Sequence, residues 1–243
     1  SFLVNCYPGE DAMNRLVVQG AEKTVRGIKV LDGVSVSCES GRVLGLCGAN
    51  GSGKTMLMRA MTGLMYLDKG FVEYNGRRLG RDLDFIPRAG MLIENPAFLD
   101  RYTAFENLQY IAALIGGVAD EAIRSRIAYV GLDPRDKRKY RQFSLGMKQR
   151  LGIAAAILGN PDAVFLDEPT NALDESGYGL MDRIARDIKT RGAIGIIASH
   201  DAAMLRRVAD EIVRMEDGRI IQRQRRAASP APMQNGLEGV PKV

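Results

Sequence analysis

The sequence predicts an α/β fold: a mostly parallel sheet forms the core, an antiparallel β layer lies against it, and a helical subdomain is inserted into it. The apolar runs 43–47, 163–166 and 193–197 indicate buried strands, and helical stretches lie between them. Strands that alternate with helices form parallel sheets covered on both faces. Alternating side chains at 34–38 and a helical pattern over about 95–160 indicate the other two parts.

The antiparallel layer is predicted from short segments on either side of the first buried strand. Residues 16–18, 29–31 and 34–38 precede that strand and 71–74 follow it. All four are rich in residues that favour strands. The Asn-Gly pair at 75–76 indicates a hairpin-type turn at the end of the last segment.

The helical subdomain is predicted to contain three helices. Thr103 and Glu106 have the spacing of a capping box, which places the start of the first helix. A second helix begins at Asp120 and ends at Gly131. The third begins at Ser144, a residue type that favours the N-cap position.

The composition limits the classes of protein to which this chain can belong. The 243 residues are 46% hydrophobic and 26% charged, which is typical of a globular protein with a substantial core. No apolar run approaches the roughly 18 residues that cross a bilayer. The net charge of +5 fits nucleotide binding or an anionic membrane surface as well as nucleic acid. The three cysteines have no metal-ligand spacing, so a reducing, cytoplasmic location is expected.

Three stretches of the chain differ in character. Residues 1–15 are expected to be an N-terminal extension, since they show no clear periodicity. Residues 16–225 contain the strands and helices and are expected to form one domain. Residues 226–243 are rich in Pro, Ala and Gly, and we expect a disordered tail there.

A glycine-rich segment between the first buried strand and a helix predicts a nucleotide site. It fits the spacing G-x-x-x-x-G-K-[ST], and such a turn points backbone N–H groups and the positive end of a helix at a triphosphate. Lys54 would reach the β- and γ-phosphates, and the Thr55 hydroxyl would ligate Mg²⁺. The fold is therefore expected to be of the phosphate-loop NTPase (RecA-like) type. The predicted ATP-binding residues here are Gly48, Ala49, Asn50, Gly51, Ser52, Gly53, Lys54, Thr55 and Met56.

Two carboxylates end the strand at 163–166. Successive side chains of a strand point to opposite sides. Asp167 can therefore face Mg²⁺ while Glu168 faces the water that attacks the γ-phosphate. A solvated acidic pair is common by itself, but the phosphate loop in the same chain favours the catalytic interpretation.

These segments together resemble the nucleotide-binding subunit of ATP-binding cassette (ABC) transporters over about residues 16–225. The most specific segment is 144–150 (SLGMKQR), which is similar to the family's signature helix. The resemblance implies that Ser144 and Gly146 of one subunit close over the ATP bound by another, in a head-to-tail dimer. From the residues alone, Ser144 is a good N-cap and Gly146 lets an anion approach the first turn.

Two further segments match the family in the expected order. Residues 171–174 resemble the D-loop at the dimer seam, and the resemblance places Asp174 beside the nucleotide. His200 is the only histidine in the chain and follows the strand at 193–197. A lone histidine is usually structural, but at this position the resemblance makes it the switch histidine that contacts the γ-phosphate.

Two positions depart from the family's usual pattern. Val25 stands where an aromatic ring usually stacks on adenine, which puts the nucleotide preference in question. Glu94 stands where glutamine is usual; its carboxylate can still ligate Mg²⁺. Glu94, Leu145 and the segment 103–108 are similar to the bacitracin and lantibiotic export and self-protection branch of the family.

The resemblance implies an ATPase that drives a separate membrane permease and exports peptide antibiotics or other hydrophobic compounds. Lys54 and Mg²⁺ would offset charge on the transferred phosphate, Glu168 would polarise the water, and His200 would contact the γ-phosphate. The expected partners are a second copy of the subunit and an integral membrane permease, and no nucleic acid. The subunit would lie on the inner face of the cell membrane.

Two other functions remain open from the sequence. A soluble cassette ATPase acting on ribosomes or nucleic acid is the first, although such proteins usually carry two cassettes or a long coiled coil. Recovery of ribosomes or DNA without a membrane subunit would favour it. The second is a nucleotide-gated interaction module without hydrolysis, which would be expected to lack some of the catalytic residues that this chain has.

Overall fold

Two sheets and six α-helices make up residues 13–173 and 176–226, the part of the chain that the computed structural model describes. The strands are β1 (Arg15–Val25), β2 (Ile28–Glu39), β3 (Arg42–Cys47), β4 (Lys69–Tyr74), β5 (Arg77–Arg78), β6 (Ala89–Leu92), β7 (Ala163–Asp167), β8 (Ile194–Ser199), β9 (Glu211–Glu216) and β10 (Arg219–Arg225). The helices are α1 (Lys54–Thr62), α2 (Ala104–Ile115), α3 (Asp120–Tyr129), α4 (Leu145–Ala156), α5 (Ser176–Thr190) and α6 (Ala202–Val208). Within these ranges no helix has the length and apolar character that crossing a membrane requires.

The core is a six-stranded sheet in the order β10-β9-β3-β8-β7-β6. Its strands pair in parallel, apart from the edge strand β10, which is antiparallel to β9. Every residue of β7 and β8 is buried, since helices or the second sheet cover both faces. The predicted parallel core is confirmed.

The second sheet is antiparallel, in the order β2-β1-β4-β5, and this too was expected. The segments predicted at 29–31 and 34–38 belong to one long strand, β2, rather than to two. Gly33 has φ +70° and Gly20, in β1, has φ +56°, so the pair bends without ending. A glycine at positive φ is tolerated inside a strand as a bulge. In the residue pattern alone, such a glycine looks like the end of a strand.

The helical subdomain contains the three predicted helices. The Thr103 Oγ1 accepts a hydrogen bond from the Glu106 N–H at 3.2 Å, and Glu106 Oε2 accepts one from the Thr103 N–H at 2.6 Å. The capping box is therefore confirmed. The Ser144 hydroxyl caps α4 by accepting from the Met147 N–H at 3.2 Å. The other end of α4 lies on β6, where a Cβ on Gly90 would stand 1.7 Å from the Ala156 carbonyl oxygen.

The sequence interpretation missed or misplaced some elements. It did not identify β6, α6, β9 or β10. After the phosphate loop, Leu57, Met61 and Leu64 have the spacing of one helical face, but Leu64 lies beyond the end of the helix. That helix ends at Thr62, Gly63 follows with φ +88°, and Leu64 is 54% exposed. The left-handed glycine stops the helix before the next apolar residue.

The ends of the predicted domain differ slightly from the observed strands. Arg15, assigned to the N-terminal extension, begins β1. Arg226, assigned to the tail, donates a backbone hydrogen bond to the Asp210 carbonyl at 2.7 Å. The remainder of the predicted tail, 227–243, and residues 1–12 lie outside the described residues.

Candidate nucleotide-binding site

Three neighbouring strands of the core sheet end at the site. The phosphate loop follows β3, His200 follows β8, and Glu168 follows β7. These strands are adjacent and in parallel register, with Cys47 opposite Ser199 and Asp167 opposite Ala198. The carboxyl ends of parallel strands are where open α/β sheets bind ligands, so the topology brings the predicted groups together.

The phosphate loop leaves the first N–H groups of α1 free of side-chain caps. Gly53 at the N-cap position has φ +102° and makes no side-chain capping bond. A Cβ there would stand 2.7 Å from the Val30 carbonyl oxygen, and one on Gly48 would stand 2.5 Å from that of Met215. The loop is thus closely packed on its outer side and presents backbone donors at a helix N-terminus, which is an anion-binding arrangement.

Lys54 lies across this loop and is almost fully buried. Its Nζ donates to the carbonyl oxygens of Gly48 at 2.7 Å and Ala49 at 3.0 Å. The same nitrogen is 3.6 Å from Glu168 Oε1. The ammonium group is therefore held between the loop backbone and a catalytic candidate by groups that a phosphate could replace.

Thr55 and Asp167 meet as the sequence predicted. The Thr55 hydroxyl donates to Asp167 Oδ2 at 2.6 Å. Burial raises the pKa of Asp167 above its usual value, and the bond from Thr55 opposes the rise. Asp167 Oδ1 is buried and has no hydrogen-bond partner within residues 13–173 and 176–226. An orphaned carboxylate oxygen beside a hydroxyl is the type of donor set that Mg²⁺ prefers.

Glu168 is surrounded by the segment that follows β8. Its Oε1 accepts from the His200 backbone N–H at 3.0 Å, and its Oε2 lies 2.8 Å from His200 Nδ1 and accepts from Ser199 Oγ at 3.3 Å. Glu168 has φ +46°, which costs free energy for a residue with a side chain. Such strain is common at functional sites, and here it accompanies a carboxylate directed at His200.

The open cleft in front of the loop is lined by several predicted residues. It has a volume of ≈ 390 Å³. Glu94 lies at its edge, but its Oε1 accepts from Arg59 Nη2 of α1 at 2.6 Å. The structure thus places Glu94 beside the predicted metal ligands, with its carboxylate paired to an arginine. The lining residues are Val30, Asn50, Gly51, Gly53, Lys54, Thr55, Met56, Glu94, Asp167 and Glu168.

Val25 does not line this cleft. It ends β1 and pairs across the hairpin with Ile28, which is 68% exposed. No aromatic side chain lies among the cleft-lining residues of the described chain. The cleft-lining groups suit phosphates and a cation.

The signature residues lie apart from the cleft of their own chain. Ser144 and Gly146 are not among the residues lining it within the described ranges. A Cβ on Gly146 would stand 2.8 Å from the Ala172 carbonyl oxygen, so this glycine permits contact between α4 and the segment after β7. The approach of an anion to Gly146 stays a prediction. Asp174 lies outside the described residues.

Sequence reasoning missed one contact that reaches the site. Gln149, buried on α4, donates from Nε2 to the Glu168 carbonyl oxygen at 3.1 Å. This bond connects the signature helix to the backbone of the acidic pair. Gln149 stands inside the 144–150 segment, so the motif contained the residue although its direction could not be deduced from spacing.

A phosphate loop, a buried lysine and an acidic pair at the ends of adjacent parallel strands define a phosphate-loop nucleoside triphosphatase. Comparisons with known proteins give the family. A family model described as "ABC transporter" matches residues 31–171. An uncharacterized ABC transporter ATP-binding protein of Bacillus subtilis, YybJ, is 41% identical over 198 residues, covering 82% of this chain and 91% of YybJ. The chain belongs to the ATP-binding proteins of ABC transporters, a family that hydrolyses ATP.

Relatives with described transport roles are also similar. The lantibiotic transport ATP-binding protein SrtF of Streptococcus pyogenes is 36% identical, over 85% of this chain and 89% of SrtF. The bacitracin transport ATP-binding protein BcrA of Enterococcus faecalis is 34% identical, over 79% of this chain and 63% of BcrA. Both bear out the predicted resemblance to the bacitracin and lantibiotic branch.

The fold matches a solved cassette. The dimeric, post-hydrolysis structure of the ATP-binding cassette MJ0796 with ADP and inorganic phosphate superposes with a TM-score of 0.78. That comparison covers 86% of this chain and 98% of MJ0796 at 22% identity, and it confirms the fold.

Proposed function

We propose that this chain hydrolyses ATP with Glu168 as the group that orients and polarises the attacking water. Glu168 is held by His200 and Ser199, which support its carboxylate without covering it fully, and Lys54 lies 3.6 Å away. Lys54 would exchange its two loop carbonyl partners for phosphate oxygens. His200, whose side chain is 55% exposed, would contact the γ-phosphate.

The proposed metal ligands are Thr55 and Asp167, with Glu94 at the edge of the same cleft. The orphaned Oδ1 of Asp167 is the observation that supports a cation. Mg²⁺ bound there supplies charge neutralisation on the transferred phosphate. Ionised Asp167 is costly in its buried position, and a cation would remove most of that cost.

The working unit is proposed to be a head-to-tail dimer of this chain. Ser144 lies outside the cleft of its own chain, at the exposed beginning of α4, and the N-terminus of a helix favours an anion. A second copy can bring that helix end onto the bound triphosphate, and Asp174 of the D-loop segment would lie at the seam. The dimeric MJ0796 cassette has the same fold.

A membrane permease is the proposed partner, with the chain on the inner face of the cell membrane. Leu64, Tyr66 and Phe85 are large apolar residues, each more than half exposed, near the end of α1. Exposed apolar groups gathered in this way favour a protein partner. SrtF and BcrA, named for lantibiotic and bacitracin transport, support export of peptide antibiotics as the task. The soluble alternative, acting on ribosomes or nucleic acid, is not favoured.

The arrangement of Glu168, His200 and Lys54 carries this proposal, and Glu168→Gln tests it. The variant keeps the shape of the side chain and cannot accept a proton from water. We expect ATP binding to persist and turnover to fall roughly 10²–10⁴-fold. ATP should then convert the protein to a stable dimer, which light scattering after gel filtration would measure.

Two results would contradict the proposal. Undiminished hydrolysis by Glu168→Gln would remove this carboxylate from the reaction. A strictly monomeric Glu168→Gln protein in saturating Mg·ATP, with its membrane partner present, would overturn the dimer. Asp82→Asn, a substitution of an exposed acid on the β layer, is the control and should leave both measurements unchanged.

A further inference from the structure

A hydrogen-bonded chain runs from α5 to the Glu168 carboxylate. Tyr178, in the first turn of α5, donates its phenol hydrogen to Asp201 Oδ2. Asp201 follows His200 directly, and its backbone N–H donates to Ser199 Oγ at 3.0 Å. Ser199 Oγ in turn donates to Glu168 Oε2 at 3.3 Å. The motifs identified in the sequence do not include Tyr178, and the roles proposed above do not use it.

Both oxygens of the Asp201 carboxylate accept hydrogen bonds. Oδ1 accepts the backbone N–H groups of Ala203 at 2.8 Å and Met204 at 3.1 Å, which caps α6. Oδ2 takes the phenol of Tyr178. The bond from Tyr178 lowers the pKa of Asp201, and the same bond raises the pKa of Tyr178. The pair is thus a charge-assisted hydrogen bond between a carboxylate and a neutral phenol.

A second contact between α5 and α6 lies beside the tyrosine ring. The Arg207 guanidinium of α6 lies 5.8 Å from the ring centroid, and it forms an ion pair with Asp182 of α5. The phenol joins α5, which begins two residues after Asp174, to the segment that holds Glu168.

We propose that Tyr178 is a positioning residue for the ATPase reaction. Its hydroxyl fixes Asp201, and Asp201 fixes the turn 199–201 so that Ser199 and His200 hold the Glu168 carboxylate in place. The inference rests on the proposed role of Glu168. The same bond connects α5, through Asp201 and Ser199, to Glu168.

Tyr178→Phe tests the inference, since it removes one oxygen atom and keeps the ring. We expect kcat to fall about tenfold, because the carboxylate is displaced and not lost. KM for Mg·ATP and the affinity for a non-hydrolysable ATP analogue should change less than about twofold, because the phosphate loop is untouched. Asp182→Asn, which weakens the ion pair between α5 and α6 and leaves the Tyr178 hydroxyl unchanged, is the matched control and should retain the wild-type kcat.

A double variant shows whether Tyr178 acts through Glu168. In the Glu168→Gln background, adding Tyr178→Phe should leave the residual turnover unchanged, because the carboxylate that it positions is absent. An equal tenfold loss in both backgrounds would overturn the inference. So would a wild-type kcat in Tyr178→Phe while Glu168→Gln is inactive, and that result would leave the proposed function intact. Full turnover by Glu168→Gln would instead defeat the proposed function.

The unfolding temperature distinguishes the proposed positioning role of Tyr178 from a purely structural one. If Tyr178→Phe and Asp182→Asn lower it equally and kcat equally, Tyr178 only packs the helices and the inference fails. Should Tyr178→Phe not fold, Asp201→Asn weakens the same bond from the other side and keeps the acceptor that caps α6. It should reduce kcat with KM unchanged, and an unchanged kcat would count against the inference.

Discussion

At the scale of single residues, Asp167 and Glu168 show how one peptide bond separates two environments. Asp167 is 5% exposed, beside the Thr55 hydroxyl, with one oxygen unpartnered. Glu168 lines the same cleft and meets His200 and Ser199. Period-two alternation along a strand predicted opposite directions for the two side chains, but β7 ends at Asp167. The positive φ of Glu168 could not be predicted, since it depends on the packing of β8 beside β7.

Other residue contacts lay outside the reach of sequence reasoning. Glu94 pairs with Arg59, and Tyr178 with Asp201, across 35 and 23 positions of the chain. No local pattern relates such positions, because only the fold brings them together. The phosphate loop and the capping box were predictable since their partners are near in sequence and their spacing is set by helix geometry.

Cys38 gives a prediction at this scale. Burial raises the pKa of its thiol to about 12. At about pH 8 iodoacetamide should therefore modify Cys38 only after denaturation, because the thiolate is the reactive form. Cys47 is partly exposed beside the phosphate loop and serves as the control that reacts in the native protein. Peptide mass spectrometry would measure both.

The raised pKa of Cys38 also determines how the stability of the fold depends on pH. The folded-state pKa of Cys38 lies above the unfolded value of about 8.5, so the unfolded chain loses its proton first as the pH rises. Between these two values the free energy of unfolding should fall with increasing pH. Equal native modification of Cys38 and Cys47 at about pH 8 would contradict the buried, protonated thiol.

At the scale of elements, the helices agree with the sequence better than the strands do. α2 and α4 begin directly after residues with clear start signals, Thr103 and Ser144. By contrast, β9 and β10 are short, charged and partly exposed, so they lack the apolar runs that indicate strands. Pairing with β3 makes β9 a strand. Tertiary pairing decided these elements, and propensity did not.

Gly146 and Gly179 form a matched pair of helix glycines for a second prediction. A Cβ on Gly146 would stand 2.8 Å from the Ala172 carbonyl oxygen, whereas one on Gly179 would meet only the end of the Arg183 side chain at 4.0 Å. Gly179→Ala should raise the free energy of unfolding by about 0.5–1 kcal/mol, because alanine favours the helix. Gly146→Ala should give no such gain and should lower turnover by displacing the first turn of α4.

Urea unfolding and steady-state ATPase assays would measure the two effects. The comparison is informative because the chemical change is the same at both positions. Stabilisation of Gly146→Ala equal to that of Gly179→Ala would show that the contact with Ala172 does not constrain α4.

At the scale of the whole molecule, the sequence predicted the core sheet and the helical subdomain. It did not predict which apolar residues lie on the surface. Apolar periodicity finds residues that face a core, and Leu57 and Met61 are buried as it predicts. This periodicity cannot distinguish an exposed apolar residue from a buried one, and Leu64 is an example. Leu64, Tyr66 and Phe85 form the exposed apolar surface near the end of α1 that we propose as the permease contact.

Phe85→Glu tests this surface. An affinity-tagged wild-type chain is expected to recover an integral membrane protein from detergent-solubilised membranes, and Phe85→Glu should reduce that recovery at least roughly tenfold, since it places a charge in an apolar contact. Basal ATPase activity should persist because Phe85 lies outside the nucleotide cleft. Mass spectrometry of the recovered proteins would measure the difference.

Ile221→Glu is the control for that experiment. Ile221 is 51% exposed, close to the 54% of Phe85, and lies on β10 at the edge of the core sheet. It should recover the membrane protein normally. Equal loss in both variants would deny the surface near α1 a specific role, and recovery of ribosomes or DNA in place of a membrane protein would favour the soluble alternative.

The glycines at the two ends of α4 restrict how the sequence can drift over evolution. Gly146 and Gly90 each face a carbonyl oxygen that leaves no space for a methyl group, at 2.8 Å and 1.7 Å from the nearest position of a Cβ. Leu145, beside the first of them, is 65% exposed and meets no such limit within its own chain. Lineages descended from this protein can therefore exchange Leu145 freely with respect to folding, while a single added carbon would displace α4 from β6 at Gly90 or from the segment after β7 at Gly146.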